Sequence, residues 1–481
     1  MITIDLLLSK PDLHTNTIFV LRHPDDMPAG LVNTEEAGYI RRSLEDKTTT
    51  TVAINRYDYV WYFVVPADVA GESLQLEKAR KTGDILVKEI SRLKVQEITV
   101  YNLSADAEWC MALAEGMTLG GYQFLKYKTD RDEKLIRLNT IKIWSEGMNS
   151  QQILMKNRLN EAVYMCRDFV NEPVINLSAT QLAEGISDRL STTGIKTEIF
   201  NKKKIESLKM GGLLAVNRGS SEPPTFTVLE WKPEDAVNEN PVILVGKGVT
   251  FDTGGMNIKT GSFMDHMKTD MTGAATMAAV MYAAAATLLP VYVIALLPAT
   301  DNRINSDAVV SGDVIEMHSG KTVEILNTDA EGRLILADAL SYAQNYNPML
   351  VITAATLTGS AARAIGRFGI VAMQAKASEQ MQLLKECGED VYERIAEFPF
   401  WDEYAELIKS DIADLKNVGP VEGGAITAGK FLEAFTNYPF IHLDIAGTSY
   451  AEKRDSYRNQ GATGTGVRLL FSFLAKVAGK A

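Results

Sequence analysis

The sequence predicts an α/β protein in two parts: a smaller N-terminal α/β domain, and a larger C-terminal domain with a central, mostly parallel or mixed sheet flanked by helices. Three observations carry this. At 481 residues the chain is too long for one ordinary core. Strand-like runs alternate with helical ones along its length. Pro173, in NEP at 171–173, disfavours further helix partway along the chain. The expected domains are 1–150, a linker helix at 151–170, and the larger C-terminal domain at 171–481.

In the first domain, Thr17 to Arg22, Thr51 to Asn55, Val60 to Val65 and Glu97 to Asn102 read as strands. Between them, Glu72 to Lys94 places Leu86, Ile90 and Leu93 at helical spacing. The linker, rich in Asn, Arg and Leu, reads as helix from about 148 to 170. Beyond it, VILVG at 242–246, VYVIALL at 291–297 and LVITAATL at 350–357 are short apolar runs without alternation, as expected of strands buried on both faces. Met271 to Thr300 lacks any charge and is long enough to span a bilayer, but Pro290 divides it into an Ala-rich helix and a β-branched strand. GPVEGGAITAG at 419–429 and QGATGTG at 460–466 read as loops near a site.

Composition narrows the partners. Hydrophobic residues at 46% and charged ones at 23% describe a globular chain. A net charge of -12 disfavours nucleic acid, whose affinity rests on Lys and Arg. Cys110, Cys166 and Cys387 are odd in number and far apart, so a reduced, cytoplasmic protein is expected. The opening residues MITIDLLLSKPDL lack the pattern of a secretory signal, and no membrane partner is expected.

The chemistry concentrates at the ends of the apolar runs. NTDAEGRL at 327–334 sets Asp329, Glu331 and Arg333 at alternate positions, which in extended chain would point one way. Lys247 and Asp252 follow the strand at 242–246, Lys259 lies deeper in the same glycine-interrupted loop, and Asp270 precedes the Ala-rich helix. Four carboxylates gathered at strand ends would repel one another unless neutralised, and two divalent ions would balance them. Without Cys or clustered His among them, the donors suit zinc, manganese, magnesium or cobalt.

These residues with their spacing resemble the leucyl aminopeptidase family of cytosolic dinuclear-metal peptidases. NTDAEGRL matches its signature, and GKGVTFDTGG, MKTDMTGAA, ATLTG, HLDIAG and GATGTGV resemble its other blocks in order, over roughly 165 to 475. The resemblance implies an aminopeptidase releasing N-terminal residues, Leu and other apolar ones first, through a water shared by two metal ions. Zinc or manganese would be favoured over magnesium or cobalt. Lys247, Asp252, Asp270 and Glu331 would ligate one metal, and Asp252, Asp329 and Glu331 the other. Lys259 would polarise the scissile carbonyl, and Arg333 would hold a bicarbonate ion acting as general base. Met267, Thr356 and Gly359 would shape the pocket for the first side chain, and Leu357 would lie among the backbone groups that grip the substrate. A homohexamer acting on peptides is the expected assembly.

His266 lies between these blocks and is expected to pack the loop. HExxH is absent, which disfavours the single-zinc design. Thr260 and Thr272 stand where the family often has proline and glycine, which bears on loop rigidity and pocket shape. Two competing functions are a dinuclear phosphoesterase, which typically mixes His with its carboxylates, and a binding or regulatory protein on the same fold.

Overall fold

The structure is a computed structural model that describes residues 1–45 and 49–479. The chain divides into two compact units, Met1–Tyr164 with Lys453–Asn459, and Met165–Glu452 with Gln460–Ala481.

The first unit is built on a six-stranded sheet in the order Thr3–Leu6, Thr140–Trp144, Glu97–Asn102, Thr17–Val20, Val60–Val64, Thr51–Asn55. All neighbours run parallel except the last pair. The long helix Glu72–Arg92 contributes Ala79, Leu86, Val87 and Ile90 to a core against one face, together with Trp109, Leu113 and Met117 of helix Ala107–Gly120. On the other face Ile40 and Leu44 of helix Thr34–Leu44 pack with Phe19, Trp61 and Phe63. Lys453–Asn459 returns to this unit, where the Tyr457 hydroxyl donates to buried Glu77 at 2.7 Å and Asn459 Nδ2 to the Leu119 carbonyl at 3.0 Å.

The second unit carries a nine-stranded mixed sheet. Its centre is four parallel strands in the order Phe440–Asp444, Leu350–Ala355, Val242–Gly246, Val293–Asn302, with Gly248–Asp252 pairing parallel to the last. Every residue of those four strands is buried, as continuous apolar runs require when both faces are covered. Ile243, Val245, Ile294, Leu296 and Val351 share one core with Leu334, Ile335, Ala337 and Leu340 of helix Gly332–Ala343. Helix Thr272–Ala286 packs on the same strands from the other side. Its small side chains let the backbones approach closely: a Cβ on Gly273 would stand 2.1 Å from the Ala354 carbonyl oxygen. Among the described residues no helix is long and apolar enough to cross a membrane, and the uncharged stretch 271–300 resolves into this helix and the strand Val293–Asn302.

One glycine-rich stretch differs from its reading. Residues 419–429 are loop only at first, since helix Gly424–Glu433 begins inside them. Ala425, Ile426, Ala428 and Phe431 supply a buried face, and that burial outweighs the glycines' preference for irregular backbone.

Candidate functional site

Parallel strands expose the ends of their backbone groups at the carboxyl edge of a sheet, where ligands commonly bind. Lys247 follows strand Val242–Gly246, Asp252 ends Gly248–Asp252, and Thr356 follows Leu350–Ala355. Asp270 closes the short turn Met267–Thr269 just before helix Thr272–Ala286. Asp329 sits in a turn, and Glu331 caps helix Gly332–Ala343 with helical backbone angles. The extended-chain argument for 329–333 is therefore corrected. A turn and a helix start, not strand alternation, bring the two acids together, and Arg333 belongs to the first helical turn.

The acids do converge. One carboxylate oxygen from each of Asp252, Asp329 and Glu331 lies within 4.8 Å of the others, and no histidine or cysteine belongs to that group among the described residues. Lys247 Nζ stands 2.7 Å from Asp270 Oδ2, 2.8 Å from Glu331 Oε1 and 3.0 Å from the Thr356 carbonyl oxygen. Lys259 Nζ lies 2.7 Å from Asp252 Oδ2 and also donates to Asp329. The Thr356 hydroxyl donates to Asp270 Oδ1 at 2.7 Å. Gly332 makes room for the lysine, since a Cβ there would lie 2.5 Å from Lys247 Cε.

Four carboxylates thus face two ammonium groups in one largely buried cluster. Burial opposes the charge on Lys247, but Asp270, Glu331 and Asp252 outweigh it and raise its pKa. Lys259 follows the same rule, with burial overcome by Asp252, Glu331 and Asp329. Burial, reinforced by neighbouring acids and only partly offset by Lys247, pushes Asp270 up. Burial and Asp252 raise Asp329 to about 6 against the pull of Lys259. Asp270 Oδ2 and Glu331 Oε1 are buried without a hydrogen bond, despite lying close to Lys247. Four carboxylates against two ammonium groups leave excess buried negative charge, and the carboxylate oxygens that face only Lys247 are hard donors of the kind a divalent cation takes, so the donor set fits metal.

Arg333 is buried at the edge of this cluster and donates through Nη1 to the Asn417 carbonyl oxygen at 2.8 Å. Burial lowers its pKa to about 10, with Glu331 and Asp444 pulling the other way. Leu357 donates its backbone N–H to Asp444 Oδ1 at 3.2 Å, while Met267 opens the turn that leads to Asp270 and Gly359 opens helix Gly359–Ile365. His266 stacks on Tyr450, ring centroids 4.6 Å apart.

The sequence reading missed the side chains that hold these groups in place. Asn257 Oδ1 accepts from the Thr328 N–H at 2.8 Å, and Asn417 accepts from the Leu326 and Asn327 N–H groups while donating to the Asn327 carbonyl at 2.7 Å. Asn302 Nδ2 donates to Asp252 Oδ1 at 2.8 Å. Asp444, raised to about 6 by burial despite hydrogen bonds from Thr358, Ala446 and Leu357, anchors the segment after Thr356. HLDIAG, which contains Asp444, and the glycine-interrupted loop after residues 242–246, which contains Asn257, were the signals that touched them, and Asn302 and Asn417 had none.

Comparison with known proteins points to one family. The model of the cytosol aminopeptidase family catalytic domain matches residues 164–471, and that of the family's N-terminal domain matches 68–131. A probable cytosol aminopeptidase of Chlorobaculum parvum is 41% identical over 428 residues, covering 84% of each chain. One from Geobacter sulfurreducens is 41% identical over 367 residues, 75% of this chain and 74% of its own. Among solved structures, a mutant tomato leucine aminopeptidase superposes with a TM-score of 0.87 at 27% identity, covering 99% of this chain and 97% of its own. The bottromycin maturation enzyme BotP in complex with Mn gives 0.84 at 28% identity, covering 96% of this chain and all of its own. The chain belongs to the cytosol aminopeptidase family and is a metal-dependent aminopeptidase, an exopeptidase of the hydrolase class.

Proposed function

We propose that the enzyme holds two divalent ions in the acidic cluster and releases N-terminal residues, Leu and other apolar ones first, from peptides. The observation that carries this reading is the convergence of Asp252, Asp329 and Glu331 within 4.8 Å, with Asp270 joined to them through Lys247. Lys247, Asp252, Asp270 and Glu331 would hold one ion, and Asp252, Asp329 and Glu331 the other. When bound, the ions would supply Lewis acidity and a water of lowered pKa. Manganese and zinc are the first candidates, and BotP was solved in complex with Mn.

The protein's own groups then divide the work. Lys247 would have to give up its proton to offer a lone pair; bare carboxylates oppose that loss and nearby dications would favour it. Lys259, already aimed at the cluster, would hold the negative charge that develops on the carbonyl oxygen. Arg333 would hold bicarbonate through its planar guanidinium fork, and that anion would supply a general base. Met267, Thr356 and Gly359 would line the pocket for the first side chain. Met267 would offer it a polarizable apolar contact, and Leu357 would lie among the backbone groups that grip the substrate. The substrate's free amine would lie near Asp270, so that cleavage is counted from the chain end.

A homohexamer is proposed on the family resemblance, and sedimentation should give about six times the chain mass of 52.8 kDa. Three buried free cysteines accord with a reducing, cytoplasmic setting. The deciding experiment strips the metals and restores zinc, manganese, magnesium or cobalt singly, following hydrolysis of a panel of aminoacyl amides. Activity should return only with a divalent ion and be greatest on apolar amino termini. Full activity in the stripped enzyme would remove this mechanism.

A further inference from the structure

We infer that Asn302 is a positioning residue for the metal cluster, acting through Asp252. This rests on the metal reading above. Asn302 ends strand Val293–Asn302, is 4% exposed, and pairs in register with Asp252 across the neighbouring strand. Its Nδ2 donates twice: to Asp252 Oδ1 at 2.8 Å and to the Thr328 carbonyl oxygen at 3.0 Å. Both neighbours are acceptors only, so the amide nitrogen is the group that must face them, and a carboxylate or apolar side chain could not replace it.

The consequence lies in how Asp252 is turned. Its Oδ1 is fully engaged, by the Asn302 amide and by the Gly254 N–H at 2.8 Å. Its Oδ2 is thereby left facing the cluster, where it meets Lys259 at 2.7 Å. The same amide anchors Thr328, the residue before Asp329. One buried side chain therefore fixes an acid at a strand end and the start of the segment that carries two more, although the hydrogen-bonded partners are 50 and 26 residues away in sequence. The Asn302 backbone carbonyl separately receives the Thr253 N–H and hydroxyl, contacts that side-chain substitutions leave in place.

The test titrates the metal-stripped full-length protein with Mn2+ by calorimetry, comparing the parent with Asn302→Leu and Asn302→Ala, and records the melting temperature of each stripped form. Leucine keeps the branched outline, with somewhat more bulk, but removes the donor and excludes water, whereas alanine leaves room for a water to donate in its place. A donor that positions Asp252 predicts an affinity loss on the order of 10 to 100-fold for Asn302→Leu and a smaller loss for Asn302→Ala. Were Asn302 only filling space, the order would reverse, with alanine the worse in both melting temperature and affinity. That reversal, or affinities within twofold of the parent for both variants, overturns the inference. Should Asn302→Leu not fold, Asn302→Val, smaller than leucine and likewise without a donor, takes its place: a loss larger than that of Asn302→Ala supports the assignment, and a loss no larger overturns it. Mn2+ uptake by the parent with unchanged variants sinks this inference only, whereas a parent that takes up no metal removes the metal reading as well.

Discussion

Lys247 and Lys259 are chemically alike, buried in one cluster, and surrounded by the same acids, yet their surroundings suit them to different tasks. Lys247 is enclosed by Asp270, Glu331 and the Thr356 carbonyl, three acceptors that would also be the neighbours of a bound cation. Lys247→Arg keeps a positive charge that cannot be shed. It should therefore lower metal content below that of the parent by elemental analysis, and unchanged content would count against the ligand role. Lys259 is less deeply buried, and of the two it is the one left with an exposed edge. Lys259→Ala should reduce kcat by about 100 to 1,000-fold, the usual cost of an oxyanion donor, while metal content stays at the parent level. If metal is lost along with rate, Lys259 is holding the acids rather than the transition state.

At the scale of elements, the site depends on how closely helix Thr272–Ala286 seats against the sheet. Ala274 donates its N–H to the Lys247 carbonyl at 2.8 Å, so the helix start and the strand end are one hydrogen-bonded unit. A methyl group on Gly273 would meet the Ala354 oxygen at 2.1 Å and the Lys247 nitrogen at 2.7 Å, both backbone atoms with no freedom to give way. Gly273→Ala should destabilise the stripped protein by at least about 1–3 kcal/mol in chemical unfolding, the range for overpacked cores. It should also lower kcat by more than that loss of folded protein explains, because Lys247 moves with the helix. The run of buried small residues in this helix was legible as Ala-rich sequence, but its consequence, a backbone-to-backbone approach beside Lys247, was not.

For the whole molecule, metal binding and folding should be linked in the second unit alone. Ions that bind only the folded cluster stabilise it by about 2.7 kcal/mol per site at a hundredfold excess over Kd. Chelation should lower the melting temperature and speed hydrogen exchange in strands Val242–Gly246 and Gly248–Asp252. Amides of strand Glu97–Asn102, whose core is a separate cluster, should keep their protection. Equal loss of protection in both units would show that metal stabilises the chain as a whole instead.

By itself the sequence determined the α/β class, three of the four strands at the centre of the second sheet, and the identity of the clustered acids and lysines. Strands buried on both faces leave unbroken apolar runs, and several acids at the ends of such runs are intelligible only if a cation gathers them. The tertiary structure alone decided the backbone that unites them: a turn and a helix start at 329–333, and a helix hidden behind the glycines at 424–433. It alone brought Lys453–Asn459 back to the first unit and recruited Asn257, Asn302 and Asn417. A single asparagine in a polar loop carries no periodic signal. Its role depends on which distant acceptors the fold sets within about 3 Å of its amide, a distance that only long-range packing fixes.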